Sequence, residues 1–285
     1  MSWLTWFGLF TRGPHVVHVV KNATHSRTGG MEPLLFRCLV SLAPLLARDG
    51  IIMDAGANDG QTTVLLARQF ATRRIVSLEP IFRNVEWARQ RVGHEMIEKE
   101  RARVSIMHGG LGAKRGTSSY PSRLDRMTYQ MVGGASGVQT GALPNYRNQR
   151  NDIARTEFVV FTVDDLLHER GETLALAHWD VEGHEKALLE GARRTILRDQ
   201  PIFTLEAFPK SMPSEFRQLV TTVASLHYRM LELPERCGMP SDCRNYVCVP
   251  ARLWDRMRSD AHGCHGSEPL VSGSGMRSDG VHRRP

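Results

Sequence analysis

Asp54-Ala-Gly-Ala-Asn-Asp-Gly60 is the stretch on which the reading of this chain turns. It follows the short apolar run Ile51-Ile-Met53, which reads as a buried strand, and precedes residues 61–70, whose apolar spacing predicts a helix. A Gly-rich turn between strand and helix sits at the carboxyl end of the strand, where open α/β sheets bind ligands. A dinucleotide fingerprint beginning at Gly56 needs glycine at positions 58 and 61, which hold Asn58 and Gln61. A phosphate loop needs Gly-Lys-Ser/Thr, whereas Gly60 is followed by Gln-Thr. The pattern D-x-G-x-N-x-G suits a ligand with a cationic end and no phosphate. Asp54 can meet an ammonium group, directly or through water. Gly56 and Gly60 let the backbone approach closely, and the helix start after Gly60 offers free N–H groups to a carboxylate.

Outward from this turn the chain alternates strand and helix. Residues 74–78 predict a strand, 82–92 a helix and 104–107 a third strand. After an interruption come strands at 157–161, 174–179 and 201–205, with helices at 185–197 and 213–226. Such alternation implies a parallel sheet with right-handed crossovers. Residues 230–233 and 245–249 can close it as an antiparallel pair, and residues 32–48 form an apolar helix complicated by Pro44. Thr162-Val-Asp-Asp165 reads as a capped helix start. Residues 109–156, rich in Gly, Ser, Asn and Arg, read as a long loop or lid. Residues 1–30 read as an extension, 31–250 as one domain and 251–285 as a disordered tail.

Two further segments fall at strand ends on the crevice side. Glu79 closes the second strand nineteen positions beyond Gly60, where an acid can accept both ribose hydroxyls of an adenosine. The competing reading is a strand-end acid before a Pro-initiated turn. Trp179-Asp180-Val-Glu-Gly-His-Glu185 places Asp180, Glu182 and His184 at another strand–helix turn. These groups can serve acid–base chemistry, or Asp180 and Glu182 can simply favour the positive end of a helix.

The chain has 285 residues, a net charge of +7 and 24 % charged residues. The acids interspersed among the arginines of 83–103 make this a solvated basic surface, and no aromatic-interleaved basic run signals nucleic acid. No apolar run is long enough for a transmembrane span, so the chain reads as soluble, in the cytoplasm or an organelle. The five cysteines (Cys38, Cys237, Cys243, Cys248 and Cys264) include no C-x-x-C pair, which argues against zinc. Cys248 in an apolar run reads as a small buried thiol, and a local Cys237–Cys243 disulfide is open.

Taken together, these segments resemble the FkbM-type family of S-adenosylmethionine-dependent methyltransferases over about residues 51–250. The resemblance rests on the Asp54–Gly60 turn, Glu79-Pro80, Thr162-Val-Asp-Asp-Leu166, Asp180-Val-Glu-Gly-His-Glu185, Ala187-Leu-Leu-Glu-Gly191, Pro201-Ile-Phe-Thr-Leu-Glu206 and Asn245-Tyr-Val-Cys-Val-Pro250. It implies an α/β, Rossmann-like class I methyltransferase fold. That fold has a mostly parallel seven-stranded sheet with an antiparallel terminal strand, and helices on both faces. It implies S-adenosylmethionine as cofactor, held by Asp54, Gly56, Asn58, Gly60 and Glu79, with Asp180 and Glu182 at the cofactor–substrate junction. The usual activity is O-methylation of a hydroxyl, on a sugar or other small molecule. One position departs from the family pattern: a Lys often stands two residues before the Asp of D-x-E-G, and here it is His178.

For such a transfer His184 is the first candidate base, since its reference pKa of about 6.5 suits proton removal near neutrality. Asp180 can orient substrate or His184, or act as the base itself. A solvent-facing His184 in the first helical turn is the alternative. A metal site from Asp164, Asp165 and Asp180 is less apt than a helix-start role for the first two, so no metal is expected. Three rival functions stay open: a nicotinamide enzyme, a methyltransferase acting on RNA or protein, and a non-catalytic cofactor-binding or scaffold protein.

Overall fold

Four runs in the chain are apolar on both faces rather than alternating, and these become the middle of a sheet. β2 (Ile51–Ala55), β3 (Ile75–Glu79), β8 (Leu174–Trp179) and β9 (Ile202–Ala207) are buried at every position, as parallel strands covered on both sides must be. The computed structural model describes residues 17–19, 33–47, 49–122, 154–236, 243–260 and 264. The remaining strands are β1 (Val17–Val19), β4 (Val104–His108), β5 (Gly110–Leu111), β6 (Gly116–Pro121), β7 (Arg155–Phe161), β10 (Tyr228–Arg236) and β11 (Arg244–Pro250).

The main sheet runs β1-β10-β11-β9-β8-β2-β3-β4. β11 is antiparallel to both of its neighbours, β9 and β10, and the other pairs are parallel. The expected seven strands are therefore present, with the antiparallel closing pair at one end. β1 adds an eighth on that edge, within the segment read as an N-terminal extension. The chain steps from β2 out to β3 and β4, then returns on the other side of β2 through β8 and β9. β2 is thus the point where the winding reverses, and the crevice lies at its carboxyl end.

Helices cover both faces. On one side α1 (Pro33–Ser41) and α2 (Gln61–Gln69) bury Leu34, Leu39, Val64 and Leu66 against Ile52, Ile75 and Val247. On the other, Leu166, Leu188, Ile196 and Val223 come from four helices and pack on Met53, Ala177 and Phe203. The third helix of the first half, α3 (Phe82–Glu95), follows β3.

Several expectations need correcting. The helix expected over 32–48 stops at Ser41 and is followed by a 3-10 turn, Ala43–Leu45, because Pro44 has no N–H to continue the ladder. The helix expected over 185–197 is two, Glu185–Gly191 and Arg193–Asp199. The second gains its own start because Asp164 accepts from Arg194 N at 3.0 Å and from Thr195 N at 2.7 Å. The Thr162 start is as expected, its hydroxyl accepting from Asp165 N at 3.0 Å.

The ends of the segment read as a loop are folded. β5, β7 and β6 form a separate three-stranded sheet, so β7 belongs there and not in the main sheet. Its burial alternates, unlike the fully buried central strands. Tyr120 and Phe158 join Ile81 in a small core under it, and residues 123–153 lie outside those described.

The expected tail is also partly ordered. Ala251–Leu253 and Trp254–Asp260 are helical, with Leu253, Trp254 and Met257 in the core. Cys264 is joined to Cys38 by a disulfide across a sequence separation of 226; two thiols so far apart in sequence gave no spacing signal. Cys243 is disulfide-bonded as well, whereas Cys237 lies outside the described residues. Cys248 is a buried free thiol.

Candidate functional site

Three strand ends meet at the reversal point: Ala55 of β2 pairs in register with Leu78 of β3 and Trp179 of β8. The turn 54–60 is sewn to both neighbours. Gly56 N and Ala57 N donate to Leu78 O at 3.0 and 3.1 Å, and Asp180 N donates to Ala55 O at 3.0 Å. Gly56 has a φ of 82°, and a Cβ there would lie 1.7 Å from the Asp180 carbonyl oxygen, so only glycine fits. Asn58 and Gly60 are also left-handed, with φ of 48° and 83°. The helix start after Gly60 is partly engaged, since Gln61 N donates to Asp59 Oδ1 at 3.2 Å.

Glu79 sits under this turn and is buried. Its Oε2 accepts from Asn58 N at 2.9 Å, and its Oε1 accepts from Ile81 N at 2.8 Å and Asn84 Nδ2 at 3.3 Å. Burial pushes its carboxyl up to about 7, although those three hydrogen bonds pull the other way and Asp180 adds to the rise. Asn58 Oδ1, beside it, is buried and accepts nothing.

Asp54 is fully buried and lies one layer back. Its Oδ2 accepts from the Thr63 hydroxyl at 2.6 Å, and its Oδ1 lies 3.0 Å from His178 Nδ1. Thr63 in turn contacts Ser77 Oγ at 2.9 Å. Asp54 and His178 are register partners on adjacent strands, which is why they meet.

The second turn, after β8, carries the remaining candidates. Glu182 and Gly183 have φ of 53° and 94°, so the backbone doubles back before the helix Glu185–Gly191. Asp180 is half-buried and Glu182 is exposed. His184 occupies the residue before that helix, and its Nδ1 donates to the Val181 carbonyl at 3.2 Å. A carbonyl can only accept, so in the neutral ring the lone pair is on Nε2. Burial lowers the His184 pKa, more strongly than its backbone hydrogen bonds raise it. The neutral, proton-accepting form is therefore the resting one near neutrality. The ring is oriented by the backbone at Val181 and Glu182.

Two acids that the sequence reading left without a role belong to this turn. Glu185 is buried and accepts from Gly183 N at 3.2 Å. Its carboxyl is pushed up to about 7, by burial first, and Asp180 adds to the rise. Glu206, the last residue but one of β9, lies one step beyond the Trp179–Leu205 register pair and so faces Asp180 from the next strand. Burial raises its carboxyl well above the usual range, and the charges of Asp180, Glu182 and Glu185 add to this. A charge ending the apolar run Ile202-Phe-Thr-Leu205 was the available signal. Asp59 was also missed: it is buried, pairs with Arg91, and ties the first turn to α3.

The residues expected at the crevice (Asp54, Gly56, Asn58, Gly60, Glu79, Asp180 and Glu182) thus line one edge of the sheet, with His184 on the next turn. Asp164 and Asp165 are elsewhere, engaged with Arg194 and the helix it begins.

Comparison with solved structures gives distant relatives. The methyltransferase FkbM from Methylobacillus flagellatus KT is 17 % identical with a TM-score of 0.47, over 73 % of this chain and 47 % of that one. The chain therefore spans about half the length of that protein. Cofactor-bound Rv0187 from MTB is 13 % identical, TM-score 0.42, over 79 % of this chain and 92 % of that one. The precorrin-6y C5,15-methyltransferase from Geobacter metallireducens GS-15 is 10 % identical, TM-score 0.40, over 80 % and 94 %. No curated protein matches the sequence. The family model for the methyltransferase FkbM domain matches residues 54–238, from the first acid of the Gly-rich turn to just beyond β10. The chain belongs to the FkbM methyltransferase-domain family.

Proposed function

We propose that this chain transfers a methyl group from S-adenosylmethionine to a hydroxyl oxygen of a small molecule or glycan. The observation that carries the reading is the meeting of the 54–60 turn with Glu79 and Asp180 at one sheet edge. The donors and acceptors there suit the cofactor's hydroxyls and amino group: Glu79 Oε2 uses only one of its lone-pair sites, and Asn58 Oδ1 is buried with none used.

When bound, S-adenosylmethionine supplies an electrophilic methyl group on a positively charged sulfur. Glu79 and Asn58 would hold the ribose side, and the glycines at 56 and 60 keep the turn close-set. Asp54, already committed to Thr63 and His178, acts from behind the turn, by its charge and through intervening groups. Asp180 and Glu182 stand at the acceptor side. His184 Nε2 would take the proton of the acceptor hydroxyl. Alignment of oxygen with the methyl–sulfur axis is the main contribution asked of the site.

The Cys38–Cys264 disulfide supports an oxidising compartment for this activity. Among the described residues, no helix is long and apolar enough to cross a membrane.

Calorimetric titration of S-adenosylmethionine and S-adenosylhomocysteine into the wild type and Glu79→Ala tests the reading. Micromolar binding, weakened at least tenfold by the substitution, is expected. No binding to the folded wild type would sink it and return the nicotinamide and scaffold readings to the front.

A further inference from the structure

Three carboxylates converge where β8 and β9 end. An oxygen from each of Asp180, Glu182 and Glu206 lies within 4.8 Å of the other two. Such a gathering of like charge is unremarked on an open surface, but this one is not open. Glu206 is 5 % exposed, Asp180 half-buried and Glu182 at the rim. Within it, Glu206 Oε2 and Asp180 Oδ1 are both buried and have no donor other than a proton held between the two acids. The other oxygen of Glu206 lies 2.5 Å from Cys243 Sγ, a disulfide sulfur with no proton to donate. When the acids are ionised, an acceptor with no donor inside a ring of acceptors is costly to bury. Native proteins meet that cost where a ligand repays it.

We infer that Asp180, Glu182 and Glu206 form a divalent-cation site at the acceptor side of the crevice. All three donors are carboxylate oxygens, which select hard cations over zinc or copper. Among these, calcium tolerates irregular and flexible oxygen sets, and manganese(II) takes the same oxygen ligands. Three protein ligands on one side, graded from buried to exposed, leave the solvent side of the ion open.

The role of the ion rests on the methyl-transfer reading. An acceptor oxygen entering an open coordination position is held at a fixed place beside Asp180 and loses its proton more readily. The acceptor class that gains most has two neighbouring oxygens, a vicinal diol or hydroxy acid, because it can chelate.

The test separates the two readings. Manganese(II) is titrated into the full chain after chelator treatment, and free ion is followed by electron paramagnetic resonance. One ion per chain is expected, displaced by calcium. Glu206→Gln and the rim variant Glu182→Gln should each weaken it at least tenfold, with circular dichroism unchanged. Absence of stoichiometric binding to the folded wild type, or equal binding by both variants, would overturn the site. S-adenosylhomocysteine binding is measured on the same samples by calorimetry. Its loss with manganese retained would sink the methyl-transfer reading and leave the cation site standing.

Discussion

His178 Nδ1 lies 3.0 Å from Asp54 Oδ1, and both side chains are buried between neighbouring strands at the base of the Gly-rich turn. Histidine at this position brings a ring nitrogen that reaches the carboxylate within the strand register. Removing the ring nitrogens leaves the buried Asp54 Oδ1 without this partner, with the Thr63 hydroxyl still on Oδ2. His178→Phe is therefore expected to cost about 3 kcal/mol in denaturant unfolding. His178→Lys should recover part of that loss, and equal damage from both would show that the pairing with Asp54 is not what the position supplies.

Gly56→Ala tests the contact between the two turns. The added methyl meets the Asp180 carbonyl oxygen at 1.7 Å, at a φ of 82° that alanine disfavours. One of the two turns must move, at a cost of about 3 kcal/mol or more. S-adenosylhomocysteine affinity should fall with it, because Glu79 is bonded to the same turn. Calorimetry and unfolding on one preparation check both effects, and an unchanged midpoint would contradict the packing.

Stability should depend on pH in a direction opposite to that of most acid-labile proteins. Glu79 and Glu185 are both raised from 4.5 to about 7 by burial. A carboxyl that binds its proton more tightly when folded adds stability that is complete below its unfolded value and lost as pH rises through the folded one. Each contributes about 3 kcal/mol across that interval. The ligand-free melting temperature is thus expected to drop between pH 5 and 8. Glu185→Gln, which keeps an oxygen for Gly183 N, should flatten the slope; a slope identical to the wild type's would exclude Glu185 as its source.

Reduction should weaken the fold substantially. The Cys38–Cys264 bond closes a loop with a sequence separation of 226, for which unfolded-chain entropy alone gives about 5 kcal/mol. Cys38→Ser, or the wild type in excess dithiothreitol, is expected to unfold at clearly lower denaturant. Coincident curves with and without reductant would show that the bridge contributes nothing at equilibrium.

The central strands were legible because continuous apolar runs such as 174–179 can only be covered on both faces, and the 54–60 turn because Asn58 and Gln61 stand where a dinucleotide fingerprint needs glycine. Glu206 was not, since a single acid at a strand end acquires meaning only when Asp180 arrives beside it from the adjacent strand. The split after Gly191 depends on Asp164, thirty positions earlier, accepting from Arg194 N. Cys38 and Cys264 likewise show nothing locally. What the sequence concealed is consistently the contact between distant segments, while strand and turn chemistry are written in neighbours.

The same bridge decides how the molecule would carry tension. A pull applied to the chain outside Cys38 and Cys264 passes from one sulfur to the other and bypasses every residue between them. The crevice, both turns and ten of the eleven described strands lie within the bypassed loop. Among the described residues before Cys38, Val17–Val19, zipped to Met230–Glu232, and the first turn and a half of α1 stand in the line of force. Under load that strand peels first, and the ligand site stays intact until the disulfide is reduced.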